Sequence, residues 1–400
     1  MQNKGRQRRI YLDYAATTPI DKRVSSCMKK VESQFWANPS SLHLEGEKTK
    51  KALEDSRIQV AKILHCRKRE IYFTSGGTEG LNIAIQGVIE KALSDKVLSH
   101  VIVSSIEHSS VLEPIKYLLN KKKIEVSFIY PDRSGRINPD SIKKEIKENT
   151  VLIALMHSNN EIGTIQPVNK VASIIKDLRK EMGNKNTNNN FSEKSYPYLL
   201  VDASQSVVYE DVSLERLGAD ILVLDSIKMY GPRGVGILAI KNGIKIDPIM
   251  FGGGQENGLR PGTENVLGAV GIALALKIAE KEREKESKRI KKIRDYAISK
   301  ILKEIPCASL NGSLENRLPN NINICFSGID SEFIVIKLDT LGFAVSAASA
   351  CSTLSLENSS YVLEAIGRAE CASSSLRFTL GRATKKSDLD KLIKTLKMVV

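Results

Sequence analysis

The sequence predicts an α/β protein: a large domain with a mainly parallel seven-stranded sheet between helices, plus a smaller α+β domain. Three observations predict it. Strand-length apolar runs alternate with helical patterns over the first two-thirds of the chain. A long helical pattern then starts at Asn265 and leaves that alternation. Finally, 400 residues exceed what one core usually supports.

The seven expected strands are Ile71–Thr74, His100–Ser104, Glu125–Tyr130, Val151–Met156, Tyr198–Asp202, Ile221–Leu224 and Val235–Ile240. After Thr78, Leu81, Ala84, Ile85, Val88 and Ile89 recur at helical spacing on one face. Strand, helix, strand in this order favours a parallel sheet covered on both sides. Ligands of such sheets sit at the carboxyl ends of the strands. From Asn265 a helix with an apolar start and a charged middle carries the chain into the second domain. Asn321–Phe326 and Ser375–Thr379 read as strands there, and Glu332–Leu338 and Ser387–Leu396 as helices. The expected boundaries are 18–284 for the large domain, and 1–17 with 285–400 for the small one. The segment 183–195, GNKNTNNNFSEKS, reads as a surface excursion without chemistry.

Hydrophobic residues make up 42% and charged residues 26%, the balance of a globular protein. The longest apolar runs are too short to span a bilayer. The basic start, MQNKGRQRRI, lacks the apolar segment of a secretory signal, so a cytoplasmic location is expected. A net charge of +14 raises the question of nucleic acid. The charge is spread along the chain, however, and interleaved with glutamate, as in EKEREKESKRIKKIR (280–294). Aromatic residues are only 5% of the chain, which leaves few stacking platforms. Direct nucleic-acid binding is therefore not expected, although the charge suits docking to an acidic partner protein. Cysteines stand at 27, 66, 307, 325, 351 and 371. None forms a C-x-x-C pair or lies at zinc-site spacing from a histidine, so no metal is expected. A disulfide framework is not expected either, and the thiols other than Cys351 read as packed small hydrophobes.

Three segments carry the chemistry. TSGGTEGLN (74–82) links a strand to a helix, and such a turn aims backbone N–H groups and the positive helix end at one anion. It is not a P-loop, because no Gly-Lys-Ser/Thr follows. VDASQS (201–206) ends a strand with Asp202 and Gln205. LVLDSIKMYGPRGVG (222–236) ends the next and places Lys228 by a Gly/Pro-rich turn, where burial would make its amine a Schiff-base nucleophile. An anion turn, a strand-end carboxylate and a strand-end lysine together suggest a pyridoxal-phosphate site.

These segments belong to an ordered series: YLDYAATTP (11–19), TSGGTE (74–79), EHSSVLEP (107–114), MHSNNEIGTIQP (156–167), VDASQS (201–206), KMYGPRGVG (228–236), RPGTEN (260–265), SAC (349–351) and SSLRFTLGR (374–382). The series resembles that of NifS-type cysteine desulfurases, in the class V aminotransferase family of fold-type I pyridoxal-phosphate enzymes. The resemblance covers about 10–390 of the chain. It implies that Lys228 holds pyridoxal 5'-phosphate as a Schiff base and moves the substrate Cα proton. By the same resemblance Asp202 keeps the pyridine nitrogen protonated, His108 stacks on the ring, and Asn160 and Gln205 surround its hydroxyl. Gly77 and Thr78 bind the phosphate, joined by Thr263 from the second subunit of a homodimer. Arg377 grips the substrate carboxylate, with Asn160 beside it.

Cys351 lies in a small-residue, serine-rich stretch, AVSAASACSTLSLENSSYVLEAIG (344–367), where packing gains little and reactivity explains a thiol better. It matches the family's sulfur-accepting cysteine. The implied reaction converts L-cysteine to L-alanine and leaves a persulfide on Cys351, for an iron–sulfur scaffold or a tRNA-thiolating enzyme. Selenocysteine lyase or aminotransferase activity, or a catalytically degraded paralogue acting through protein contacts, are the alternatives. One departure stands out. Where the family commonly has Ser-Gly-His before the lysine, this chain has Asp225, Ser226 and Ile227. Asp225 would bring negative charge toward the phosphate, and Ser226 is expected to supply the hydroxyl instead.

Overall fold

The computed structural model describes residues 9–94, 99–185, 196–347 and 359–400. The large sheet has seven strands: β1 (Ile71–Thr74), β2 (Ser99–Ser104), β3 (Ile124–Ile129), β4 (Thr150–Ala154), β5 (Tyr198–Asp202), β6 (Ile221–Asp225) and β7 (Gly236–Ile240). Their order across the sheet is β1-β7-β6-β5-β4-β2-β3. Only β7 runs antiparallel, to both of its neighbours; the other pairings are parallel. Each expected strand is present, with ends shifted by at most two residues.

The apolar runs are continuous because both faces of this sheet are buried. Successive residues feed two separate cores. Val101, Val103, Leu152, Leu200 and Val223 pack on one side with Leu81, Ile85 and Val88 of the helix Gly77–Ser94. Ile102, Ile153, Leu199, Val201 and Leu222 pack on the other with Leu53, Val60, Ile272 and Leu276. Each such side chain contributes roughly 1.5–3 kcal/mol by leaving water. That burial fixes the strand register, because a one-residue slip would exchange the two faces.

The helix expected from Asn265 runs over Val266–Glu304, and the Asn265 side chain caps it by accepting from the Gly268 N–H at 2.9 Å. Its buried positions cluster at Val266–Ala279 and again at Ile290–Ile301. The charged middle between them carries pairs such as Lys288–Glu284 and Arg289–Glu286. Beyond it a second sheet forms from β8 (Ala308–Leu310), β9 (Asn321–Phe326), β10 (Ser346–Ala347) and β11 (Ser375–Thr379), all antiparallel in the order β10-β11-β9-β8. The N-terminal segment joins this part of the molecule. Ile10–Tyr11 pairs with Phe343–Ala344, and Asp13 bridges to Thr379.

One expectation is corrected. Cys325 on β9 and Cys371 are not separate packed thiols; their sulfurs are bonded, with Cα atoms 5.4 Å apart. Both are buried, in a small cluster with Ile106, Ile162 and Val362. Packing of the turn Ala369–Cys371 against β9 brings together residues 46 positions apart, a proximity that sequence spacing does not reveal. Cys27, Cys66 and Cys307 are free and half-buried. Among the described residues, no helix is long and apolar enough to cross a membrane.

Candidate active site

A cavity of about 300 Å3 opens at the carboxyl ends of β4, β5 and β6, where a parallel sheet presents its ligand site. It gathers residues from five distant segments: Ala15 and Ala16, Gly77 and Thr78, His108, Asp202 with Ser204 and Gln205, and Asp225 with Ile227 and Lys228. Asn160 and Arg377 complete its wall. Gly77, Thr78, His108, Asn160, Asp202, Gln205, Lys228 and Arg377, eight residues singled out from the sequence, therefore line one space.

Lys228 ends a short 3-10 turn, Ser226–Lys228, immediately after β6. Its half-buried amine donates to the main-chain oxygens of Ala15 at 2.8 Å and Ala16 at 2.7 Å. The N-terminal segment thus holds the amine at the cavity wall rather than in open solvent. The Gln205 amide donates to the same Ala15 oxygen at 3.0 Å. Asp202 ends β5, and one of its carboxylate oxygens accepts from the Ser204 N–H at 2.9 Å.

His108 caps the helix Ser109–Asn120. Its Nδ1 accepts from the Ser110 N–H at 3.2 Å and lies 2.7 Å from the Ser110 hydroxyl. The neutral ring therefore carries its proton on Nε2. Burial lowers the His108 pKa; Asp202 pulls it up and Lys228 pushes it down. A neutral imidazole at neutral pH follows, suited to covering a flat ring. Behind it, burial pushes the Glu107 carboxyl up to about 8, although the Met156 N–H donates to it at 2.7 Å.

The anion turn holds a surprise. The Gly77 N–H donates at 2.9 Å to the Asp225 side chain, whose other oxygen accepts from the Ile227 N–H at 3.0 Å. Asp225 thus links the Gly77 turn to the lysine turn, and it has no ion-pair partner among the described residues. The structure does not bring Ser226 to the cavity. Its hydroxyl is fully buried, has no hydrogen-bond partner among the described residues, and faces Gly231, where an added Cβ would lie 2.1 Å from it. Thr263 is exposed and outside this cavity, while Arg260 in the same segment pairs with Glu79 at 3.2 Å.

Arg377 enters from β11, opposite Ser346 of β10. It is buried, and its guanidinium donates to the Asn160 carbonyl at 3.0 Å, to Asp13 at 2.9 Å and to the Ser346 hydroxyl at 3.2 Å. Its Nε and the Asn160 Oδ1 are buried without hydrogen-bond partners among the described residues. Cys351 lies outside the described residues. The chain reaches that segment from Ser346, beside Arg377, and returns at Ser360, whose hydroxyl donates to Glu161 next to Asn160. Burial pushes the Glu161 carboxyl up to about 7, against the opposing effects of Ser360 and Arg377.

Sequence reasoning missed Asp13, the Ala15 and Ala16 carbonyls, Glu107 and Glu161. Each lies within a quoted motif, yet main-chain oxygens and buried supporting carboxylates carry no pattern that separates them from their neighbours.

The aminotransferase class-V model matches residues 10–392. The chain belongs to that family. Two curated family relatives are the cysteine desulfurase IscS of Dictyoglomus turgidum, 43% identical over 98% of this chain and 95% of the relative, and cysteine desulfurase IscS 1 of Archaeoglobus fulgidus, 41% identical over 98% and 96%. Among solved structures, a NifS-like protein superposes with a TM-score of 0.87 at 33% identity, covering 98% of this chain and 99% of the other. SspA in complex with cysteine superposes with a TM-score of 0.77 at 31% identity, over 93% and 98%. Class V membership and the cavity thus point to the same strand ends.

Proposed function

We infer that this chain is a pyridoxal-phosphate-dependent cysteine desulfurase, converting L-cysteine to L-alanine and passing the sulfur to a cysteine of its own. The observation that carries the reading is the convergence of the Lys228 amine, Asp202, His108 and Arg377 on one cavity. The residues fit the cofactor at its ring and aldehyde positions. An amine, a strand-end carboxylate and an imidazole surround the space, and the buried Asn160 Oδ1 lacks a hydrogen-bond partner among the described residues. At the proposed phosphate end, Thr78 lines the cavity and Asp225 accepts from the Gly77 N–H.

When bound, the cofactor supplies an electron sink for the pair left at Cα. Lys228 holds it and moves the Cα proton, released from the two carbonyls that now orient its amine. Asp202 would keep the pyridine nitrogen protonated, and Gln205 and Asn160 would hold the ring hydroxyl. Arg377 binds the substrate carboxylate, with Asp13 and the Asn160 carbonyl fixing the guanidinium plane. The Cys351 thiolate then attacks the substrate sulfur. The S–S bond forms as Cβ–S breaks, the pair stays with carbon, and Cβ takes a proton to become the methyl of alanine. The segment holding Cys351 is flanked by Ser346, bonded to Arg377, and by Ser360, bonded to Glu161, which supports this role.

The division into 18–284 and 1–17 with 285–400 belongs to this reading, supported by the pairing of Ile10–Tyr11 with Phe343–Ala344 and by the Asp13 bridge to Thr379 in the second sheet. So does a homodimer, in which Thr263, exposed here, reaches the phosphate of the other subunit. A cytoplasmic setting and delivery of sulfur to an iron–sulfur scaffold or a tRNA-thiolating enzyme complete it. The test is purified protein given cofactor and L-cysteine, with alanine and protein-bound persulfide measured together. Wild type forms both; Cys351→Ser binds cofactor and cysteine but forms no persulfide. Persulfide on Cys351→Ser equal to wild type would remove the role of Cys351.

A further inference from the structure

We propose that Asp225 is a built-in anion at the phosphate end of the site, and that it sets how tightly this enzyme holds its phosphorylated cofactor. The inference rests on the pyridoxal-phosphate reading above and concerns a residue in which this chain departs from the common motif.

The turn Ser75–Gly80 is already committed to the chain's own groups at most of its donors. The Ser75 N–H goes to Glu79, the Gly76 N–H to the Thr74 hydroxyl, the Gly77 N–H to Asp225, and the Gly80 N–H to the Gly76 carbonyl. At a helix N-terminus the free N–H groups attract one negative group. Here a carboxylate of the protein supplies it. Closeness confirms the placement: a Cβ on Gly77 would lie 3.2 Å from that carboxylate oxygen and 3.6 Å from the Ser204 hydroxyl. Asp225 has no freedom to leave entirely, because its second oxygen caps the turn that carries Lys228.

A phosphate arriving at Gly77 and Thr78 meets this charge and must take the Gly77 N–H from it. Asp225 then keeps the Ile227 N–H, so Lys228 stays oriented, but two like charges share one half-buried corner. Such repulsion is weakly screened there. The same carboxylate accepts a hydrogen bond from the hydroxymethyl group of pyridoxal, which carries no phosphate. Asp225 therefore narrows the preference for pyridoxal phosphate over pyridoxal and makes cofactor retention reversible.

The two substitutions separate charge from shape. Asp225→Asn keeps an oxygen for the Ile227 N–H while replacing the competing charge with a donor toward phosphate. Asp225→Ser restores a small hydroxyl. Cofactor-free full-length protein is titrated with pyridoxal phosphate and, separately, with pyridoxal, following the visible absorbance. In Asp225→Asn the Kd for pyridoxal phosphate falls by about tenfold or more, and that for pyridoxal changes by less than about threefold. Asp225→Ser shifts in the same direction, and inorganic phosphate competes more strongly in both variants than in wild type. An unchanged or weaker affinity for pyridoxal phosphate in both variants overturns the proposal, as does equal tightening toward both ligands. Absence of any absorbance change with wild type and both variants overturns the proposed function as well.

Discussion

Replacing Arg377 by lysine isolates the carboxylate-binding role from cofactor binding. Arg377 is 2% exposed, and its guanidinium is bonded to the Asn160 carbonyl, to Asp13 and to Ser346, with Nε lacking a hydrogen-bond partner among the described residues. A lysine ammonium is a point charge that cannot span Asn160 and Asp13 while also presenting a fork. At least one charge-assisted bond to the substrate is lost, which costs about 1.5–3 kcal/mol. With tenfold per 1.36 kcal/mol, kcat/KM for L-cysteine falls by about 10- to 150-fold. The assay follows alanine formation against cysteine concentration, with cofactor absorbance recorded on the same samples. The cofactor spectrum is expected to stay unchanged, and KM to carry most of the loss. A kcat/KM within about threefold of wild type, or loss of cofactor instead, would refute it.

Glu107 gives a pH signature. Its carboxyl is raised by burial from 4.5 to about 8, so the folded state retains a proton that the unfolded chain releases. The resulting stability is complete below about pH 4.5 and is lost as pH rises toward 8. Glu107→Gln should flatten that loss, gaining on wild type by a few kcal/mol at most between acidic and alkaline urea titrations; parallel curves would contradict it. Leu222→Ala, at a fully buried position between β5 and β7, should cost about 2–5 kcal/mol in urea unfolding without altering which reaction is catalysed. The Cys325–Cys371 bond predicts two fewer titratable thiols in denatured protein without reductant than after reduction. Equal counts would show the two cysteines to be free.

The large sheet was legible because its strands are buried on both faces, so their apolar runs stand out against polar turns. The cavity was legible for a related reason: chemistry-bearing side chains sit just past those runs, at Asp202, Lys228 and His108. What the sequence concealed depends on side-chain direction. Asp225 and Ser226 are adjacent on one tight turn, and only the turn's geometry sends the carboxylate to Gly77 and the hydroxyl back to Gly231. Arg377 and Asp13 meet across 364 positions because the N-terminal segment returns to the second sheet. The Ala15 and Ala16 carbonyls that hold Lys228 have no side-chain signature at all.

The central claim is that one amine holds the cofactor at the end of β6. Borohydride reduction of the cofactor-loaded protein, followed by peptide mass analysis, fixes the cofactor to whichever amine holds it. The modified residue is expected to be Lys228, with no modification after Lys228→Ala. Cofactor attached to another lysine, or equal labelling of the variant, would contradict the account.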